Sequence, residues 1–216
     1  MKFKAVIFDL DGTLLDTLDD LADSMNAALE NHSFGTHAVS DYKILVGKGM
    51  RNLVTMALPP DKRSDEIITA CYNEMFEEYS KRWDRKTRPY EGIGALLDSL
   101  TEKRIQMAIL SNKIDYITQP VVRKYLGKWK FEAVFGERNG IPRKPDPSSL
   151  FEIARIMGRM SEEIICLGDS GSDMTAAISA GMYPLGVRWG FRDAEELLVH
   201  GAEKVIGKPS ELLAYF

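Results

Sequence analysis

Cysteine is nearly absent. Cys71 and Cys166 are the two in 216 residues, and they stand far apart in apolar stretches. A disulfide framework is thereby excluded, and the pair reads as reduced thiols of a cytoplasmic protein. Nowhere do 18 apolar residues follow one another, so no membrane-spanning helix and no membrane partner is expected. The opening stretch MKFKAVIFDLDG is apolar only briefly and meets two acids by position 11, which does not fit a secretory leader. Histidine is scarce, and the three present show no zinc-site spacing to the cysteines. There is no excess of positive charge either. Lys and Arg number 28 against 32 Asp and Glu, a formal net charge of −4, and no basic cluster stands out. A nucleic-acid partner is therefore not expected. The remainder, 44% hydrophobic and 28% charged, is ordinary for a globular protein. A chain of this length can bury about 70–75% of its extended surface without covalent staples.

What is present is a regular alternation. Short apolar runs at 4–8, 106–110, 132–135, 164–167 and 184–187 have lost the polar spacing of a one-sided strand, as strands buried on both faces do. Helical periodicity lies between them. Ile93, Leu96, Leu97 and Leu100 recur at three- and four-residue steps, as do Leu150, Phe151, Ala154 and Met157. For the second of these helices Asp146 is placed as N-cap, Pro147 as first residue and Gly158 just past the end. Strands alternating with helices predict an α/β fold: a Rossmann-like parallel sheet with helices on both faces and right-handed crossovers. One stretch breaks the pattern. From about Leu18 to Lys86 there are three helical stripes and no convincing strand. The third stripe, Ile68, Cys71, Tyr72, Met75 and Tyr79, is read with the others as core packing. The expected division is a catalytic core from residues 1–16 and 87–216, with an inserted all-helical cap at 17–86.

Chemistry concentrates at Asp9-Leu10-Asp11-Gly12-Thr13, directly after the first strand. Residues two apart in extended chain project to one side, so both carboxylates can face a single site. In open parallel sheets that site lies beyond the carboxyl ends of the strands. Three further polar stations follow strands: Ser111-Asn112, Lys144-Pro145, and Gly168-Asp169-Ser170-Gly171-Ser172-Asp173. Alone, each has a bland explanation, as a strand end, a solvated lysine or acids at a helix N-terminus.

The four together, in this order, resemble the motifs of the haloacid dehalogenase superfamily, and specifically its helical-cap phosphatases. The resemblance spans nearly the whole chain. It implies a Mg²⁺-dependent phosphatase acting on a small phosphorylated metabolite through an aspartyl phosphate. Asp9 would be the nucleophile, and Asp11 would protonate the leaving alcohol and then activate water. Ser111, Asn112 and Lys144 would hold the phosphoryl oxygens. The metal would sit on Asp9, the backbone carbonyl of Asp11, and Asp169, with Asp173 supporting it or orienting Lys144. A carboxylate suits attack on phosphorus, and a hard cation offsets the repulsion between two anions.

Looser similarities, among them Val46-Gly47-Lys48-Gly49, Ser111-Asn112-Lys113 and Trp189-Gly190-Phe191, point toward phosphoglycolate phosphatase. In the cap loop, Lys48 and Arg51 are the candidates for reading an anionic leaving group. Alternatives within the superfamily are a sugar phosphomutase or a pyrophosphatase. Such mutases carry a histidine twelve residues after the nucleophile, where this chain has Leu21. Dehalogenases lack a second Asp such as Asp11. Outside enzymes, a phospho-accepting signalling receiver shares the Asp, Ser/Thr and Lys-Pro features but has no comparable insert.

Overall fold

The computed structural model describes residues 3–216. In chain order the strands are β1 (Ala5–Phe8), β2 (Leu15–Asp16), β3 (Arg88–Pro89), β4 (Gln106–Ile114), β5 (Val134–Glu137), β6 (Ile164–Gly168), β7 (Tyr183–Val187) and β8 (Lys204–Ile206). The helices are α1 (Leu18–Asn31), α2 (Tyr42–Leu45), α3 (Met50–Ala57), α4 (Asp65–Arg82), α5 (Ile93–Glu102), α6 (Asp115–Leu126), α7 (Ser148–Met157), α8 (Gly171–Ser179) and α9 (Ala194–Val199).

Six strands form one parallel sheet in the order β5-β4-β1-β6-β7-β8. β1 is central and fully buried, with Ala5 opposite Gln106 of β4 on one side and Ile164 of β6 on the other. Its alternate residues feed two cores. Val6 and Phe8 join Met107, Ile109, Ile165 and Leu167 beneath α5 and α6. Ala5 and Ile7 join Ala108, Leu110, Ile164 and Cys166 beneath α7 and α8. Covering on both faces is why the strands read as continuous apolar runs. The chain winds outward through β4 and β5, then crosses back to β6 and winds the other way. The loops after β1, β4 and β6 therefore part at the carboxyl edge, where an α/β sheet opens a crevice.

The expected α/β sheet is present, with edges displaced. β4 runs four residues further than its apolar run, and β5 starts two residues later. β8 was not anticipated. Nor were β2 and β3, which pair antiparallel with Leu15 opposite Pro89 and Asp16 opposite Arg88. At two residues each they are too short to show a period. α7 begins at Ser148, one residue later than predicted. Pro147 is its cap, and Asp146 instead accepts the Ser148 N–H at 2.9 Å through Oδ1. Gly158 ends it in left-handed conformation (φ 63°) as expected.

Helices α1 to α4 lie between β2 and β3. Ser64 caps α4 by accepting the Ile67 N–H at 3.4 Å, and acids at its start with bases at its end suit the macrodipole. Where the segment rejoins the sheet, the buried Asp20 carboxylate accepts from the Lys86 and Thr87 N–H groups and from Thr87 Oγ1 at 2.8–3.0 Å. Among the described residues no helix is long and apolar enough to cross a membrane.

Candidate active site

The floor of the site is the carboxyl edge of β1 and β6. Beyond Phe8 the Asp9 N–H still bonds the Leu167 carbonyl at 2.8 Å, which fixes Asp9 against β6. The chain then folds back, with the N–H groups of Leu14 and Leu15 both reaching the Leu10 carbonyl at 3.0 Å. Gly12 takes φ 87° in this turn. A Cβ there would overlap the Asp169 carboxylate, and so would one at Gly190. A Cβ at Gly168 would likewise overlap the Asp173 carboxyl group. The two aspartates are packed directly against bare backbone.

Three carboxylates converge. Asp9, Asp169 and Asp173 each offer an oxygen, all within 4.8 Å of one another. Lys144 spends its three ammonium protons on Asp9 Oδ1 (2.9 Å), Asp173 Oδ1 (2.6 Å) and the Leu110 carbonyl (2.7 Å). Asp173 Oδ2 accepts from the Ser170 N–H and hydroxyl, and Asp169 Oδ2 accepts the Phe191 N–H at 2.7 Å. One ammonium thus faces three buried acids. Burial, and then the Asp173 charge, push the Asp9 carboxyl up to about 7, with Lys144 pulling the other way. Burial and then Asp9 raise Asp169 well above the usual carboxylate range. For Lys144 burial disfavours the charge, but Asp173 and Asp9 outweigh it and raise its pKa. Clustered oxygen donors with too little positive charge are the donor set of a hard divalent cation.

The rim comes from the end of β4. Ser111 is buried, and its Oγ accepts the Lys113 N–H at 3.2 Å. Asn112 is fully engaged: Nδ2 donates to the carbonyls of Gly47 and Lys144 at 3.0 Å, and Oδ1 accepts the Lys144 N–H at 3.0 Å. Its amide is therefore a tie between Lys144 and the helical segment, which leaves no side-chain proton for a phosphate. Lys113, 4% exposed along its side chain, donates to both oxygens of Asp11 at 3.0 Å and to the Tyr79 hydroxyl at 2.6 Å. Burial pushes the Tyr79 phenol up to about 12, so it keeps its proton. For Lys113 burial disfavours the charge, but Asp11 and Tyr79 together outweigh it and raise its pKa.

The helical segment closes the site from above. A cleft is floored by Asp9, Asp11, Asp169 and Lys144, and roofed by Leu21, Val46, Met50, Leu53, Met75 and Tyr79. Lys48 and Arg51 are not in its wall. Lys48 is exposed, and Arg51 turns away to an ion pair with Asp65 at 2.9 Å on the outer surface. The cap loop meets the site through its backbone instead. Arg192 Nη2 donates to the Val46 carbonyl at 2.7 Å and the Ile44 carbonyl at 3.3 Å, and Asn112 holds Gly47. The position of Leu21 puts an aliphatic side chain in the roof where a mutase would present an imidazole.

Residues 6–187 match the family described as haloacid dehalogenase-like hydrolase. The chain belongs to that family. Curated relatives agree along its length. A phosphoglycolate phosphatase of Agrobacterium fabrum (strain C58) is 31% identical, over 87% of this chain and 81% of its own. One of Chromobacterium violaceum is 27% identical, over 97% and 94%. Among solved structures, a protein of Lactobacillus delbrueckii subsp. bulgaricus provisionally assigned as a phosphoglycolate phosphatase superposes with a TM-score of 0.93, at 30% identity, covering 98% of this chain and 97% of that one.

In this hydrolase the structure brings Asp9, Asp11, Ser111, Lys144, Asp169 and Asp173 to one place, and Asn112 beside them as a tie. It leaves Lys48 and Arg51 outside. Sequence reasoning missed Lys113 and Tyr79. The strand was expected to end at about Ser111, whereas β4 continues through Asn112 and Lys113 to Ile114. Two residues beyond Ser111 in a strand is the same side as Ser111, which is the signal that points to Lys113. Tyr79 was assigned to core packing, and it is buried, but it and Met75 also line the roof.

Proposed function

We propose that this hydrolase is a Mg²⁺-dependent phosphatase that cleaves a small phosphomonoester, phosphoglycolate-like, through a phosphorylated Asp9. The supporting observation is the group of three carboxylates and Lys144 at the carboxyl edge of the sheet, in a chain whose phosphoglycolate phosphatase relatives match it nearly end to end. Helices α1–α4, within residues 17–86, serve as the cap over a core of 1–16 and 87–216. Free, buried Cys71 and Cys166 suit a reducing, cytoplasmic setting.

Asp9 and Asp169, with the Asp11 carbonyl, would hold Mg²⁺, which supplies the positive charge that Lys144 alone does not. Lys144 aims Asp9 while Asp173 holds Lys144, and Ser111 takes a phosphoryl oxygen. The Asp9 carboxylate forms a bond to phosphorus as the bond to the leaving alcohol breaks, and Asp11 gives that alcohol its proton. Asp11 then takes a proton from the water that attacks the acyl phosphate, which releases phosphate and restores Asp9. Leu21 and the mostly aliphatic roof favour hydrolysis over mutase chemistry. Phosphate release from a panel of small phosphomonoesters and pyrophosphate, with and without Mg²⁺, tests the proposal. It expects 2-phosphoglycolate among the best substrates, and no phosphate release from any of them overturns it.

A further inference from the structure

Every phosphomonoester presents the same phosphoryl group to the floor, so discrimination has to come from whatever lies around the leaving group. The expected readers, Lys48 and Arg51, are outside the cleft. Of the cations that do line it, Lys144 is spent on two carboxylates and a carbonyl. Arg192 is committed to two cap-loop carbonyls and to Glu196 at 3.2 Å. Lys113 is different. Two of its three N–H bonds go to the same carboxylate, so one can be released while Asp11 stays paired. Its third goes to the Tyr79 oxygen, and none of the Tyr79 hydrogen bonds among the described residues uses the phenolic proton. Tyr79 is fully buried and forms part of the cleft wall. A buried donor with nothing to donate to, beside an ammonium in a cleft also lined by Leu21, Leu53 and Met75, is a place for an anion.

We propose that Lys113 of the core and Tyr79 of the cap together read the leaving group, and that they select a short one bearing a carboxylate. The carboxylate would accept the Tyr79 O–H and one Lys113 N–H, each a charge-assisted bond in a dry site. Length is set by Asp11, which must reach the leaving oxygen while bonded to the same Lys113. Since one ammonium touches Asp11 at 3.0 Å and Tyr79 at 2.6 Å, the leaving group they share would have to be short. Because one partner comes from each side of the cleft, the bound carboxylate would also fasten the two together. The proposal rests on the phosphatase assignment and goes beyond it by naming the residues that read the leaving group.

The test compares 2-phosphoglycolate with 2-hydroxyethyl phosphate, which has similar length but ends in a neutral hydroxyl. Losing Lys113 also unpairs Asp11, which harms both substrates alike, so the readout is the ratio of their kcat/KM values. The wild-type protein with Mg²⁺ is expected to favour the carboxylate by about 10- to 100-fold, the size of a lost charged hydrogen bond or two. Lys113→Met should bring the ratio near one, and Tyr79→Phe should reduce it several-fold, mainly through KM. Should Lys113→Met fail to fold, the wild-type ratio and the isosteric Tyr79→Phe still decide. A parallel loss on both substrates, no preference in the wild type, or an unchanged ratio in Tyr79→Phe overturns the proposal and leaves the phosphatase assignment standing. Failure of the wild-type protein to hydrolyse either compound or an aryl phosphate overturns the assignment itself.

Discussion

The floor and the roof of the cleft are built by opposite means. On the floor nearly every polar atom is bonded to another: Lys144 has no proton to spare, Asp173 is gripped from both oxygens, and Asp169 is wedged between Gly12 and Gly190. The roof is mostly aliphatic, and its cap loop is held by backbone carbonyls rather than by side chains. A cross-bonded floor gives one geometry for one group, the phosphoryl. The Tyr79 hydroxyl of the roof can be changed without touching that geometry, whereas its partner Lys113 also holds Asp11. The difference separates what the protein does from which compound it does it to.

Breaking the floor should have the largest effect. Asp9→Asn keeps shape and removes the attacking charge, so turnover should fall to well below a tenth of wild type on every substrate while circular dichroism shows the fold intact. A variant that keeps a tenth of kcat would take Asp9 out of the nucleophile role.

Metal removal comes next and carries a pH signature. In the metal-free protein Asp9 titrates at about 7, against an ordinary value of 3.8. Between those values the native chain holds a proton that the unfolded chain has lost. By linkage this group's contribution makes the metal-free protein less stable as pH rises from about 4 to about 7. Mg²⁺ must displace that proton at low pH and meets a bare carboxylate at high pH. The rise in melting temperature on adding Mg²⁺ should therefore be larger at pH 8 than at pH 5. An equal rise at both would contradict the cluster as the binding site. Chelator should abolish activity, and Ca²⁺, with looser coordination, should inhibit.

The joint between floor and roof should show an intermediate effect. Asn112→Ala removes the ties to Gly47 and Lys144 together. We expect KM to rise about tenfold for all substrates, with a smaller fall in kcat, since each lost bond is worth about 1 kcal/mol. A change confined to kcat would mean that Asn112 acts on the floor alone.

Smallest of all should be Lys48→Ala and Arg51→Ala, with kcat/KM on 2-phosphoglycolate changed less than about twofold. Arg51 and Asp65 are both well exposed, and such pairs contribute little. A tenfold loss would show that the loop turns inward when substrate binds.

Most of the floor was legible in the sequence. Parallel strands covered on both sides leave apolar runs, and Asp9, Asp11, Ser111 and Asp169 come within three residues of the end of such a run, with Lys144 a loop further on. The pairing of β2 with β3 was not legible, because two residues show no period. The roof misled for a specific reason. Glycines beside cations look like a binding loop, but sequence does not tell which way Lys48 points, and here the loop offers its carbonyls. Lys113 and Tyr79 were hidden by partnership: one sits just past the expected strand end, the other in a stripe that looked like core, and only the fold puts an ammonium under a phenol.

Gly12, Gly168 and Gly190 carry no functional group, yet each occupies the space that a carboxylate needs. Exchanging glycine for alanine ordinarily steadies a chain by about 0.4–1 kcal/mol where the backbone allows it. At these three positions the added methyl would evict Asp169 or Asp173, so a one-carbon change in an inert residue would resemble deletion of the acid itself. Inactivating variants of this hydrolase should then appear at sites where nothing reactive has been altered, and their cause would be the silhouette of an aspartate rather than its charge.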